Sequence, residues 1–398
     1  MTESLSIVHL IPALTKGGAE RVAVDLANAS ARLGHEVTIL VGWKVDEKIL
    51  RVRIDPSISV IYMCETPGGR ILSYVAALKW LWKHRKWLAE QQILHLHLTL
   101  AALLGTIIYS IRRKERPVVI ETYHSVGMPI SQRLRSFHAW NCRRRDAVVL
   151  MANDAYWRDF KKKNQDIDIR FIPNGVDAPV GPATQEAVRV YLRRIGVPET
   201  AKRIIGTVGQ FRSERRPQLM AQMFLDVLRD SPPDLHVLMC GSGPELDAVS
   251  AMVDAAGMST RFTLPGVVND PRLAMSAMSL YVTINVGEIT GIAALEAMFC
   301  KVAVIAYQAE SAVDSLSDSS FTANNKKQGA IDGQWIWSSP DPQAVVKKIK
   351  GFLESPKALE DVGSHQHNIV LSNYTVSGMI KRYIHLYQST LGDKRNND

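Results

Sequence analysis

The stretch EITGIAALEAM, residues 288–298, carries a glutamate near each end of one short run, Glu288 and Glu296. It follows LYVTINV, a continuous apolar run of the kind that forms a buried parallel strand. Glu288 is then expected in the strand-to-helix loop, with Thr290, Gly291 and Ile292 opening a helix. The first amides of a helix have no intrahelical acceptor and lie at the positive end of its dipole, which suits a phosphate. Gly291 allows close backbone approach. Glu296 falls in the second turn, and its side chain leans back toward the helix start. A carboxylate does not bind phosphate, but it accepts hydrogen bonds from sugar hydroxyls. Glu296 could therefore hold a ribose and Glu288 a second sugar, with phosphates between them. The spacing alone also fits a helix whose two glutamates are simply solvated.

Short β-rich runs alternate with helical stretches along the chain. LSIVHLIPAL, HEVTILVG, QQILHLHL, PVVIETYH, DAVVLMAN and DIRFIPNGV read as strands, and GGAERVAVDLANASARLG as an amphipathic helix ending at Gly34. DAPVGPATQEA, residues 177–187, breaks the pattern with Pro and Gly and marks a domain boundary. A second series follows: RIIGTVGQF, LHVLMCGSG, FTLPGV, LYVTINV and VAVIAYQ, with a polar loop over 314–334. Strands separated by helices imply parallel sheets, so the expected class is α/β with two Rossmann-like doubly wound domains. The expected bounds are 1–177, 178–374, and 375–398 for a C-terminal helix packing back toward the first domain. Ligands of such folds bind at the carboxyl ends of strands, and a cleft between domains is the default site.

Residues 1–177 hold 26 Lys and Arg against 17 Asp and Glu, a balance of +9, while the remaining 22 basic residues are matched by 22 acidic ones. All of the net positive charge lies in the first half, which points to an anionic partner there. The four cysteines form no CxxC pair, which argues against zinc or a disulfide scaffold and fits a reducing compartment. ILHLHLTLAALLGTIIYSI, residues 93–111, lacks charge, yet His95 and His97 would be costly in lipid, so a buried strand and helix are expected there. In YVAALKWLWKHRKWLAEQ, residues 74–91, helical spacing puts Lys79, Lys83 and Lys86 on one face and Trp80 beside Trp87 on another. Trp and Lys bordering an apolar face suit an anionic bilayer surface; an ordinary sheet-covering helix fits as well. The DID of 166–168 reads as a solvated turn rather than a metal site, and His95 with His97 as packing residues. GSGPEL, residues 241–246, lacks the third glycine of a dinucleotide fingerprint, which disfavours a dehydrogenase.

E-x7-E in this setting resembles the signature of retaining glycosyltransferases of the large group 1 family, family 4 of the sequence classification. KGGAERVAVDLANASARLGHEVTIL (16–40) is similar to its N-terminal Gly-rich loop and helix. ILHLHL and ETYHS resemble its histidine-bearing strand ends, and FIPNGVD (171–177) the close of its first domain. VGQFRSERRPQLM (208–220) resembles its basic phosphate loop and MCGSGPE (239–245) its nucleotide loop. The order is kept over nearly the whole chain. The resemblance implies the GT-B architecture, two Rossmann-like domains facing each other across a cleft, the first binding acceptor and the second donor. It implies catalytic roles for His124, Glu288 and Arg215. Donor binding would fall to Gly17, Gly18, Arg212, Gly241, Thr290, Gly291, Ile292 and Glu296. No metal or resident cofactor is implied; a UDP- or GDP-sugar is co-substrate. Departures from the pattern are Gln210 for an arginine, with Arg212 or Arg216 left to supply that charge, Arg215 for a lysine, Ile289-Thr290 for Gly-Phe, Ala303 for proline and Asn153 for serine.

The expectation is a retaining, metal-independent enzyme moving a sugar to a lipid-linked or saccharide acceptor in glycolipid, lipopolysaccharide or exopolysaccharide synthesis. It would be cytoplasmic and peripheral to an anionic membrane through its basic half, with no nucleic-acid partner. A nucleotide-sugar epimerase and a non-catalytic nucleotide-sugar-binding subunit are the alternatives.

Overall fold

The computed structural model describes residues 4–15, 18–45, 53–65, 70–110, 116–124, 132–151, 155–176, 183–268, 270–286, 291–309 and 336–397. The chain divides into two compact units, Met1–Gly175 with Val376–Asp398, and Val176–Thr375.

The first unit holds β1 (Ser6–Ile11), α1 (Gly18–Arg32), β2 (Glu36–Val41), β3 (Ser59–Tyr62), α2 (Arg70–Lys83), α3 (Arg85–Glu90), β4 (Ile93–His97), α4 (Leu98–Tyr109), β5 (Val118–Tyr123), α5 (Gln132–Cys142), β6 (Ala147–Leu150), α6 (Ala155–Lys163) and β7 (Ile169–Phe171). Its strands form one parallel sheet in the order β3-β2-β1-β4-β5-β6-β7. β1 is buried at every position after Ser6, as a strand covered on both faces must be. Val8 and Leu10 pack with Leu94 and Leu96 under α2 and α4. Ile11, Val37 and Ile39 pack under α1 on the other face. α1 stops where Gly34 takes φ +86° and the His35 N–H donates to Ser30 O at 3.2 Å. β4 passes into α4 without a loop. Leu98 at the joint sits at φ +68°, a strained value for leucine, and leaves His97 as the last strand residue. Among the described residues of this unit two ion pairs are buried: Arg145 Nε with Glu121 Oε2 and Arg116 Nη1 with Asp146 Oδ2, each at 2.6 Å.

The second unit holds α7 (Gln185–Arg194), β8 (Arg203–Val208), α8 (Pro217–Arg229), β9 (Leu235–Cys240), α9 (Leu246–Ala255), β10 (Phe262–Thr263), α10 (Pro271–Ser276), β11 (Leu280–Val286), α11 (Ile292–Phe299), β12 (Ala303–Ala309), β13 (Ser338–Ser339), α12 (Pro342–Leu353) and α13 (Pro356–Asn373). Its parallel sheet runs β10-β9-β8-β11-β12-β13. The last helix, α14 (Val376–Asn397), belongs to the first unit and packs on α1 and β5.

Three local expectations are corrected. The helix over 74–91 breaks at His84, whose φ is −104° and whose Nδ1 bonds the Trp80 carbonyl at 2.8 Å while its ring stacks on Trp80. The Pro/Gly stretch of 177–187 already contains helix from Gln185, because Thr184 caps it by accepting from the Ala187 N–H at 3.2 Å. FTLPGV pairs only at Phe262–Thr263, since Pro265 has no N–H to give and Gly266 turns at φ +75°. No described helix is long and apolar enough to cross a membrane. The loop expected over 314–334 lies outside the described residues.

Candidate active site

Each sheet adds strands outward from its first strand and then returns to that strand's other side. The order reverses between β1 and β4 and again between β8 and β11. Connections leave such a point in opposite directions and open a crevice at the strands' carboxyl ends.

In the second unit, β8 and β11 pair only at Ile205↔Leu280 and Gly206↔Tyr281. Beyond that the Tyr281 hydroxyl replaces the ladder. It donates to Val208 O at 2.9 Å and accepts from the Val208 N–H at 3.3 Å. Burial pushes this hydroxyl up to about 12, and the Glu296 carboxylate acts in the same direction. α11 starts at Ile292 with Gly291 as its cap, whose carbonyl accepts from the Ala294 and Leu295 amides at 3.0 and 3.1 Å. Glu296, in the second turn, is only 9% exposed, so it is not a solvated helix residue. The loop after β8 carries Arg212, Arg215 and Arg216, all exposed and without an ion pair among the described residues. Arg216 sits at φ +45° immediately before Pro217 opens α8.

The loop after β9 supports this arginine loop backbone to backbone. The Phe211 N–H donates to Ser242 O and the Glu245 N–H to Phe211 O, each at 3.0 Å. Gly241, at φ +143°, lies so close that a Cβ there would stand 1.7 Å from Gly209 O. Gly241 therefore packs on the loop that bears the arginines, while its N–H donates to Gly266 O at 2.8 Å.

The first unit builds a different site. His9 of β1, His95 and His97 of β4, Thr122 of β5 and His124 just beyond it meet on one face. His9 Nδ1 lies 3.1 Å from His97 Nε2, and His97 Nδ1 lies 2.9 Å from His124 Nε2. His95 bonds the Tyr387 hydroxyl of α14 at 2.7 Å and Thr122 Oγ1 at 2.6 Å, and Thr122 in turn meets the Tyr383 hydroxyl at 3.0 Å. Burial lowers His9 to about 3 and His124 to about 4, and depresses His95 and His97 strongly, so all four rings are neutral at pH 7. Ring nitrogens of His9, His95 and His97 lie within 4.8 Å of one another. Neutral imidazoles are competent metal ligands, but both nitrogens of His95 are already bonded to hydroxyls.

Of the residues singled out in the sequence, Gly291, Ile292 and Glu296 share α11 and its cap, and Arg212 and Arg215 share the loop after β8. Gly18 opens α1 and His124 ends the histidine series, both in the first unit. Gly17, Glu288 and Thr290 lie outside the described residues. Asp166 and Asp168 are each paired with an arginine, Arg143 at 2.6 Å and Arg170 at 2.5 Å. Sequence reasoning missed His9, which lies inside an apolar strand and meets His97 only through sheet register, and Tyr281, whose hydroxyl role depends on where two strands part.

The model of the glycosyl transferases group 1 family matches residues 192–368, and that of Glycosyltransferase Family 4 matches residues 16–179. The lipopolysaccharide core biosynthesis mannosyltransferase LpcC of Rhizobium leguminosarum bv. viciae is 24% identical over 297 residues, 72% of this chain and 78% of that protein. The 2-deoxystreptamine glucosyltransferase of Streptomyces kanamyceticus is 29% identical over 141 residues, and the chain spans only 36% of its length, using 35% of its own. HepE of Anabaena, solved in complex with UDP and glucose, superposes with a TM-score of 0.72 at 18% identity, covering 97% of this chain and 100% of that one. Its likeness supports the same fold, two parallel-sheet α/β domains of the GT-B class. With one glycosyltransferase family model on each half, the chain belongs to the group 1 glycosyltransferases.

Proposed function

We propose that this chain is a retaining, metal-independent glycosyltransferase. It moves a sugar from a UDP- or GDP-sugar to a lipid-linked or saccharide acceptor in glycolipid, lipopolysaccharide or exopolysaccharide synthesis. The observation that carries the reading is Glu296: a carboxylate held nearly out of water, one turn behind a glycine-capped helix start at the β8/β11 reversal. The mannosyltransferase activity of LpcC and the UDP and glucose bound to HepE support it.

In this reading Glu296 accepts hydrogen bonds from the ribose hydroxyls. The amides opening α11 and the guanidinium groups of Arg215 and Arg212 take the charge that grows on the diphosphate. Glu288 and Thr290 hold the transferred sugar, His124 contacts it, and the loop of Gly17 and Gly18 meets diphosphate and acceptor. The anomeric carbon–oxygen bond to the diphosphate breaks while the acceptor oxygen bonds on the same face. The acceptor proton passes to a departing phosphate oxygen. The protein contributes orientation and charge stabilisation. A thermal-shift series with UDP- and GDP-sugars tests the donor, because a ligand of the folded state raises Tm. Glu288→Ala should then abolish transfer while nucleotide still raises Tm. Transfer at the parental rate by that variant removes Glu288 from the site.

The basic half offers a membrane surface. Leu72, Val75 and Trp82 of α2 are 63%, 42% and 72% exposed, and Leu103 and Ile107 of α4 are 50% and 45% exposed. Both helices bury their other faces in the same core. Lys79, Lys83 and Lys86 lie exposed beside them. Apolar area of this extent edged by lysine suits anionic phospholipid. Lys79/Lys83/Lys86→Glu should lose sedimentation with phosphatidylglycerol vesicles, and equal binding by parent and variant rejects the surface.

A further inference from the structure

Between α6 and the edge strand β7 of the first unit lies a cavity of about 420 Å³. α6 turns Tyr156, Trp157 and Phe160 into the core, where Ile167 and Ile169 meet them. Arg158, Lys161 and Lys162 stand on the rest of the helix at i, i+3 and i+4, so they share one side, and all three line the cavity. Arg170 and Phe171 line it from β7, and Gln165 from the connection between the two elements. No carboxylate among the described residues lines it.

The carboxylates of this stretch are committed to other cations or to one nitrogen. Asp159 pairs with Lys163 at 2.8 Å and Asp166 with Arg143 at 2.6 Å. Asp168 holds Arg170 by Nε alone, at 2.5 Å, and the terminal nitrogens of Arg170 have no partner among the described residues. Lys161 Nζ reaches a neutral acceptor, Ile169 O at 3.3 Å, and Lys162 Nζ has no partner among the described residues. Of three consecutive lysines, the one that does not line the cavity is ion-paired, and the two that do are not. Like charges gathered round one concave space raise its potential, and an anion stabilises them together. A carboxylate has two oxygens and one charge, and a single guanidinium satisfies it. A phosphate monoester has three acceptor oxygens and about two negative charges at neutral pH, so it takes several cations at once.

We propose that this cavity is a second anion site, separate from the arginine loop after β8, and that it takes a phosphate monoester group. Two sources share that chemistry: a phosphorylated saccharide in solution and the headgroup of phosphatidic acid in a bilayer. The site stands on α6 and β7 and does not rest on the reading of Glu296.

The test uses full-length protein labelled with 15N-phenylalanine, which has nine such residues. Phe171 lines the cavity and Phe211 belongs to the arginine loop, so one amide spectrum reads both sites. Each signal is assigned by its loss in Phe171→Leu or Phe211→Leu. Inorganic phosphate, against chloride of equal ionic strength, should shift the Phe171 amide saturably. Lys161→Gln/Lys162→Gln changes two exposed side chains, so the fold is kept. It should weaken the Phe171 titration about ten-fold, the worth of one charge-assisted hydrogen bond, and leave the Phe211 response as in the parent. Arg215→Ala should do the reverse. A Phe171 amide unmoved by phosphate overturns the proposal, and so does a Phe171 titration unchanged in the lysine variant. Phe211 unmoved while Phe171 behaves as stated counts against the arginine loop and leaves this site standing. Sedimentation with phosphatidylcholine vesicles containing phosphatidic acid separates the two sources. Weaker binding by the lysine variant than by the parent assigns the site to the lipid headgroup. Equal binding, with the Phe171 response to phosphate lost, assigns it to a phosphorylated saccharide.

Discussion

At the reversal of the first sheet lie His9, His97 and His124, neutral and bonded to one another. At the reversal of the second lie Glu296 and, in the adjoining loop, three exposed arginines, with Tyr281 bridging the strands that part there. The winding is the same, and the chemistry is opposite. Neutral rings carry no charge to desolvate and can be buried together; charges cannot be buried without a partner, so the arginines stay in water. The first region is thus bonded internally, and the second keeps its cations in water.

The largest expected contrast is in acid. An unfolded histidine takes its proton near 6.5, whereas burial lowers His9 to about 3 and both His124 and His138, a buried residue of α5, to about 4. The unfolded state binds more protons between those limits. Stability present above pH 6.5 is therefore lost as pH falls toward 4, at roughly 1.4 kcal/mol per pH unit for each ring. Among the described residues of the second unit only His236 is comparably lowered, to about 4. Hydrogen-exchange protection, taken relative to the intrinsic exchange rate at each pH, should fall between pH 6.5 and 4.5 at β4 and β5 well before β9. An equal loss of protection in both sheets would break the comparison.

Next comes the buried pair of Arg145 and Glu121, side chains 0% and 5% exposed. Arg145→Met strands a buried carboxylate and should cost about 3–5 kcal/mol in urea unfolding. The smallest effect on stability belongs to the exposed loop. Arg215→Ala should leave Tm unchanged and lower transfer kcat/KM about 100-fold, since a charge aimed at a developing anion acts in the transition state. An Arg215→Ala variant with lost stability and full activity would exchange the roles assigned to the two regions.

Much of the second site was legible locally. Apolar LYVTINV, the glycine and the helical run place Gly291 and Glu296 within one strand–loop–helix unit, where neighbours in sequence are neighbours in space. The histidine series was not. His95 and His97 show as alternate residues of one strand, but His9 is 88 positions from His97 and reaches it only because β1 and β4 pair in register. Strands β3 and β13 escaped notice as well. β3 is exposed or half-buried, so it lacks an apolar run, and β13 has 2 residues.

By itself the sequence determined the α/β class, the two series of strands, the family and the helix start that carries Glu296, because periodicity, turn residues and motif order are short-range properties. Tertiary structure alone decided that Glu296 is buried, that Tyr281 fills the gap where β8 and β11 separate, that Gly241 packs against Gly209, and that three histidines join into one chain. Each of these depends on contacts between segments far apart along the chain, which strand register and loop packing bring together and local pattern does not encode.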